Sequence, residues 1–295
     1  MRRTWRPEFP LDVGAVLGPL RRGPGDVTFR AVGGVWLTAN TPDGPGTLHV
    51  TRSDAVEAQA FGDGAEWLLD GLPALLGAED DDSAFECHHP LIAETRRRSP
   101  GVRLGSTRRV WDCLLPAVLE QKVTSTEAHR SYSQLCRRFG TPAPGPVTGM
   151  FVPPTPRAVL SITDWEWHKA GVDGARRRAL IAAAQVAHRL EGAAALGGEA
   201  GRALLRKVPG IGVWTAAEVA QRVWGDADAV SFGDFHLAGL VGWALLGRPL
   251  DDDGMAEVLA PYSPQRHRAV RYVELSGARK PRFAPRFSPR DYRAI

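Results

Sequence analysis

Sulfur and amines are scarce in this chain. Its 295 residues include three cysteines, Cys87, Cys113 and Cys136, with no C-x-x-C pair. That excludes a disulfide framework. Of 37 basic residues only four are lysine, Lys122, Lys169, Lys207 and Lys280, so few side chains qualify as amine nucleophiles. No apolar run reaches the length of a membrane span, and no apolar segment of the signal-peptide kind opens the sequence. A reduced, cytoplasmic protein with no membrane contact is therefore expected. Cys87-His88-His89 invites a metal reading, but adjacent side chains cannot converge on one ion and no second ligand pair follows. No metal is assigned.

What is present is ordinary for a soluble globular protein: 43% hydrophobic and 24% charged residues, in a chain long enough for two or three packed units. A net charge of +4 and a pI near 9.2 permit a nucleic-acid partner without demonstrating one.

Residues 1–84 read as a small mixed domain. Strand composition marks Val27–Ala31, Val35–Ala39 and Thr47–Thr51, with a fourth candidate over Ala55–Phe61. Gly33-Gly34 and Pro42–Gly46 separate them as turns. Leu11–Leu20 and Ala65–Leu76 suit helices, the second burying Trp67, Leu68, Leu72 and Leu75. The fold class is α+β, an antiparallel sheet backed by helices and followed by an all-helical region over 85–278. The acidic run Glu79–Asp82 marks the boundary and reads as a solvated linker.

In the helical region Trp111, Leu114, Leu115, Val118 and Leu119 form one buried face, and Pro116 is expected to kink or limit that helix. Thr124 and Glu127 make a capping box for a helix that stops at Gly140. Residues 141–156, rich in Pro, Gly and Thr, read as a long surface loop. Short helices open at Thr155 and Thr163, and a longer one spans Asp173–Leu190. Arg176, Arg177 and Arg178 near its start oppose the helix dipole and are placed on a solvated face. Asp251–Asp253 caps a following helix, and a last helix covers Pro264–Ser276. The stretch 279–295 is a basic, proline-rich tail, read as a loosely packed terminus.

The chain is organised around Leu204–Leu237. Val208-Pro209-Gly210-Ile211-Gly212 is a tight hairpin between two helical segments, the second carrying Val213, Trp214, Ala216, Ala217, Val219, Ala220 and Val223. Gly210 and Gly212 allow the sharp turn, Ile211 pegs the helices together, and the N–H groups opening the second helix suit a phosphate. Asp234 follows at the start of another apolar run. It is either an N-cap, a carboxylate facing the same ligand, or both.

The hairpin, with Trp214-Thr215-Ala216 and Gly233-Asp234-Phe235-His236, resembles the helix-hairpin-helix DNA glycosylases. Ala117–Thr124, which includes Gln121 and Lys122, is similar to that family's helix-end signature beside the lesion. Leu11-Asp12-Val13 and Gly23–Phe29 look like the extra domain of the 3-methyladenine DNA glycosylase II branch. The resemblance implies a helical glycosylase region of two subdomains with the active-site cleft between them. It implies a monomer that binds double-stranded DNA containing a damaged base and needs no cofactor. DNA contacts fall to Val208, Gly210, Ile211, Gly212, Thr215, Gln121 and Lys122. A flipped base would meet Trp214, Glu218 and Phe235.

Asp234 would stabilise the positive charge that builds on deoxyribose as the N-glycosidic bond breaks. Bifunctional relatives carry a lysine where Trp214 stands, so hydrolysis without strand cleavage is implied. Members with an iron–sulfur cluster have four cysteines near the C-terminus, and this chain has none after Cys136. Two positions depart from the branch's pattern. Glu218 replaces an aromatic, leaving its side chain open to a pocket-facing or a solvent-facing reading. Lys122 stands where a wedge is usually uncharged. The lesion is expected to be an alkylated purine. An oxidised or mismatched base, or a non-catalytic DNA-binding role, stays open.

Overall fold

The computed structural model describes residues 1–281 together with Pro289, Asp291 and Arg293. Most of the basic tail assigned to 279–295, and the reading made of it, lies outside the described residues. Five antiparallel strands form a sheet in the order β1-β5-β4-β3-β2: β1 (Arg2–Trp5), β2 (Phe29–Ala31), β3 (Val35–Thr41), β4 (Gly44–Arg52) and β5 (Val56–Phe61). Alternation sets the faces. Val35, Leu37 and Ala39 of β3 point inward with Leu48 and Val50 of β4 and Val56, Ala58 and Ala60 of β5. Leu17 of α1 (Val13–Leu17), Leu68 of α2 (Ala65–Asp70) and Leu72 of α3 (Leu72–Leu75) close that core. The strand β1 was not expected. Its sequence, RRTW, carries no apolar alternation, and it exists by pairing with β5 from Arg2↔Gln59 to Trp5↔Val56.

The acidic run is anchored at Asp80 and Asp82, while Glu79 and Asp81 are exposed. Asp80 forms a buried ion pair with Arg268, their side chains 3% and 2% exposed, and it also accepts from Leu104 N at 3.0 Å. Asp82 pairs with Arg96 at 2.9 Å. This connection leads into α4 (Pro90–Arg98), where His89 spends Nδ1 on Leu91 N and places Nε2 3.0 Å from Leu245 O.

The central helix is α5 (Val110–Leu119). It is buried on nearly every side, not on one face, and runs through Pro116. Its start is capped from outside, where the Glu191 carboxylate accepts from Val110 N at 2.9 Å and Trp111 N at 2.8 Å. The capping box holds as expected for α6 (Ser125–Phe139), with Thr124 and Glu127 in reciprocal hydrogen bonds.

Residues 141–156 are not a free surface loop. Strands β6 (Thr141–Pro142) and β7 (Phe151–Val152) pair with each other, and the segment's carbonyls serve as acceptors. Thr38 Oγ1 donates to Phe151 O at 2.7 Å, Asn40 Nδ2 to Pro153 O at 3.0 Å, and Trp111 Nε1 to Pro154 O at 2.8 Å. A segment without apolar periodicity thereby ties the sheet to the helices.

The chain continues through α7 (Pro156–Leu160), α8 (Asp164–Lys169) and α9 (Gly174–Gln185). Arg176 is buried, not solvated. Its guanidinium reaches Leu119 O at 2.8 Å, Gly171 O at 3.0 Å and Asp173 Oδ2 at 2.6 Å, which neutralises its conflict with the helix dipole. The expected single helix to Leu190 breaks at β-branched Val186 and resumes as α10 (Ala187–Leu190). Then follow α11 (Gly192–Leu196), α12 (Gly198–Leu205), α13 (Val213–Val223), α14 (Leu237–Leu246), α15 (Asp252–Leu259) and α16 (Arg266–Leu275). Helix α13 packs on α5, in a core that includes Leu115, Val118, Val208, Ile211 and Val219. A separate apolar cluster joins Ile92 of α4 to Val241, Met255, Val270 and Val273. Among the described residues no helix is long and apolar enough to cross a membrane.

Candidate active site

The hairpin joins α12 to α13. Val208 and Ile211 are buried, as a peg requires. Gly210 adopts φ +87°, and a Cβ there would lie 2.7 Å from Ala179 Cβ; left-handed backbone and close approach both select glycine. Gly212 is different. Its φ is −93°, and a Cβ would meet nothing within 4 Å. Beyond it the first N–H groups of α13 have no carbonyl of their own helix to bond.

Gln121, just past the end of α5, clamps this hairpin. Its Nε2 donates to Gly210 O at 2.9 Å and to Thr215 Oγ1 at 2.8 Å. Both amide hydrogens are thus spent within the protein, and the Thr215 hydroxyl is buried with them. Lys122 follows, exposed, with φ +55°. A lysine in the left-handed region is strained by about 1–2 kcal/mol. Gln121, Lys122, Gly210 and Gly212 line the same cleft as Asp234.

Asp234 is half-buried and held on both oxygens. Its Oδ1 accepts from His236 N at 2.7 Å and Leu237 N at 2.9 Å. Its Oδ2 accepts from Trp214 Nε1 at 3.2 Å. The preceding residue, Gly233 at φ +87°, donates its N–H to Asp252 Oδ2 at 2.7 Å. The carboxylate therefore sits between α13 and α14, on a turn tied to α15 through Gly233. The N-cap itself is His236, so Asp234 bonds the opening N–H groups of α14 from two residues upstream while lining the cleft.

Glu218, one turn after Trp214 on α13, is turned inward. Its side chain is 15% exposed and pairs with Arg222 Nη1 at 2.9 Å, while Ser231 Oγ donates to its other oxygen at 2.5 Å. Arg222 also donates to Pro19 O at 3.1 Å, linking the cleft wall to the N-terminal region. Phe235 stands at the rim, 75% exposed, beneath Lys280 Nζ at 5.6 Å from its ring centre. Lys280 in turn lies 2.9 Å from His236 Nδ1.

Several lining groups escape a reading of the sequence. Arg222 is four residues after Glu218, a spacing that could have flagged it. Ser231, Gln221 and His267 come together only through tertiary packing. Deeper in the wall, Glu120 pairs with Arg22 at 3.1 Å and lies 3.6 Å from His129. Burial pushes the Glu120 carboxyl up, but Arg22, the His129 hydrogen bond and Arg222 outweigh it, leaving it at about 2.

No family model and no curated protein matches the sequence. Solved structures do match in fold. A 3-methyladenine DNA glycosylase from Archaeoglobus fulgidus superposes with a TM-score of 0.75 at 16% identity, over 93% of this chain and 97% of that one. An 8-oxoguanine glycosylase/lyase from Clostridium acetobutylicum gives 0.71 at 12%, over 94% and 96%. A 3-methyladenine DNA glycosylase of Schizosaccharomyces pombe in complex with abasic DNA gives 0.50 at 17%, over 61% and 88%. The antiparallel sheet joined to a helical body is thus a fold that this chain shares with these DNA glycosylase structures.

Proposed function

We propose that the chain is a monofunctional DNA glycosylase of base excision repair, which turns a damaged, alkylated purine out of the duplex and hydrolyses its N-glycosidic bond. The observation that carries this reading is the Asp234 carboxylate. It is oriented by His236 N, Leu237 N and Trp214 Nε1 in the cleft that the hairpin also lines. Held there, it stabilises the oxocarbenium-like sugar and orients the attacking water. The hairpin and the opening of α13 grip backbone phosphate beside the lesion. Trp214 occupies the place from which an amine would attack, and its N–H is turned to Asp234, so no Schiff base forms there.

Phe235 at the rim and the Trp214 ring offer stacking surfaces to the flipped base. Gln121 acts on DNA by fixing the hairpin, and exposed Lys122 supplies a cation next to it. The test uses purified protein and duplex oligonucleotides, each bearing one defined lesion. Strand cleavage seen only after alkali supports the reading. Nicking without alkali would overturn its monofunctional part, and no base release from any lesion would overturn the catalytic part.

A further inference from the structure

Behind Asp234 lies a cavity of about 130 Å³, lined by Glu218, Gln221, Ser231, Asp234, His267 and Glu274 among others. We propose that this cavity reads the excised base through a donor-bearing edge, with Glu218 and His267 as specificity-determining residues. It thereby favours guanine-derived lesions over adenine-derived ones. This rests on the glycosylase reading above and narrows its substrate.

The case is an accounting of donors and acceptors. The Gln221 amide spends its N–H groups on Ala229 O at 2.7 Å and Ser231 Oγ at 2.9 Å. The Ser231 hydroxyl is spent on Glu218. Acceptors, by contrast, remain in supply. Each carboxylate oxygen of Glu218 takes one hydrogen bond and keeps a second lone pair, and Asp234 and Glu274 add further carboxylates to the wall.

His267 is 6% exposed, and its imidazole has no hydrogen-bond partner among the described residues. His267 lines the cavity, so its ring nitrogens are open to a ligand held there. Burial, reinforced by Arg271, Arg222 and Arg268, holds the ring well below the usual histidine range. It is therefore neutral, with one donor and one acceptor.

A ligand for such a wall must bring donors. A guanine-type base presents a ring N–H beside an exocyclic amine, a fit for a carboxylate. An adenine-type edge places a ring acceptor beside its amine, and that acceptor opposes Glu218. An etheno-bridged adenine brings no donor on that edge. A polar site of this type rejects a ligand lacking the matching group far more strongly than an apolar one does.

The experiment compares single-turnover base release from duplexes carrying 7-methylguanine, hypoxanthine or 1,N6-ethenoadenine. The proteins are the wild-type chain, Glu218→Gln, His267→Phe and His267→Gln. The readout is each variant's change relative to wild type on the same lesion, which removes differences in intrinsic lability. We expect Glu218→Gln and His267→Phe to lose at least about tenfold on 7-methylguanine and much less on ethenoadenine, with partial recovery in His267→Gln. One common factor across all three lesions would overturn the proposal.

Calorimetric binding of free 7-methylguanine and free ethenoadenine gives a second arm that needs no turnover. Preference for 7-methylguanine that vanishes in Glu218→Gln supports the proposal even if the wild type releases no base. Equal binding of the two bases defeats it even if the enzyme is active.

Discussion

Trp214 Nε1 donates to Asp234 Oδ2 at 3.2 Å, across the gap between α13 and α14. Trp214 thus orients the Asp234 carboxylate. If Asp234 carries the chemistry, Asp234→Asn should lower base release by roughly 10²–10⁴-fold. Asparagine keeps one acceptor oxygen for His236 N and Leu237 N and loses only the bond from Trp214 Nε1, so the melting temperature should fall only modestly. Single-turnover kinetics with a parallel thermal melt decides this. Unchanged base release would defeat the assignment.

Trp214→Phe retains a ring but removes the N–H. With one hydrogen bond to the carboxylate gone, the chemical step should slow by about tenfold, while affinity for abasic DNA changes little. An equal loss in both would mean that the ring, not its N–H, matters.

The two hairpin glycines should behave differently. At Gly210, alanine meets Ala179 Cβ at 2.7 Å with φ at +87°, so Gly210→Ala should destabilise the protein by roughly 1–3 kcal/mol. At Gly212 the protein leaves room, and Gly212→Ala should melt like wild type yet bind DNA more weakly, since its methyl stands where the phosphate would approach. Denaturant melts and salt-dependent binding titrations separate the two outcomes.

The Glu120–Arg22 pair predicts a pH dependence of stability. Folding lowers the Glu120 carboxyl from 4.5 to about 2. Its contribution is therefore fully present above pH 4.5 and is lost as pH falls towards 2. Glu120→Gln should cost roughly 3–5 kcal/mol near neutrality, because Arg22 is left buried without its partner. The gap to wild type should close across that acid window. A gap independent of pH would show that packing, not charge, holds the pair.

The sheet strands, the hairpin, the Thr124 capping box and the Asp251 cap were legible because each rests on local chemistry: alternation, glycine freedom, side-chain capping. What stayed hidden depends on distant partners. Strand β1 needs β5, Arg176 needs Leu119 O, and the 141–156 segment needs Thr38, Asn40 and Trp111 as donors. In the site, Asp234 and Trp214 were identifiable as separate residues but their hydrogen bond was not. The inward turn of Glu218 depends on Arg222, within reach of spacing arguments, and on Ser231, which is not.

The Asp80–Arg268 pair joins residues 188 positions apart, and this sets an order on synthesis. While the ribosome is still making the chain, the Asp80 carboxylate can take Leu104 N but not yet Arg268, and enclosing it then would leave its charge unpaired. The junction between the sheet and the helices must then wait, hydrated, until α16 has emerged. A nascent chain halted before residue 268 should expose Asp80 and the apolar face of α4 to proteases, however complete its sheet and hairpin are.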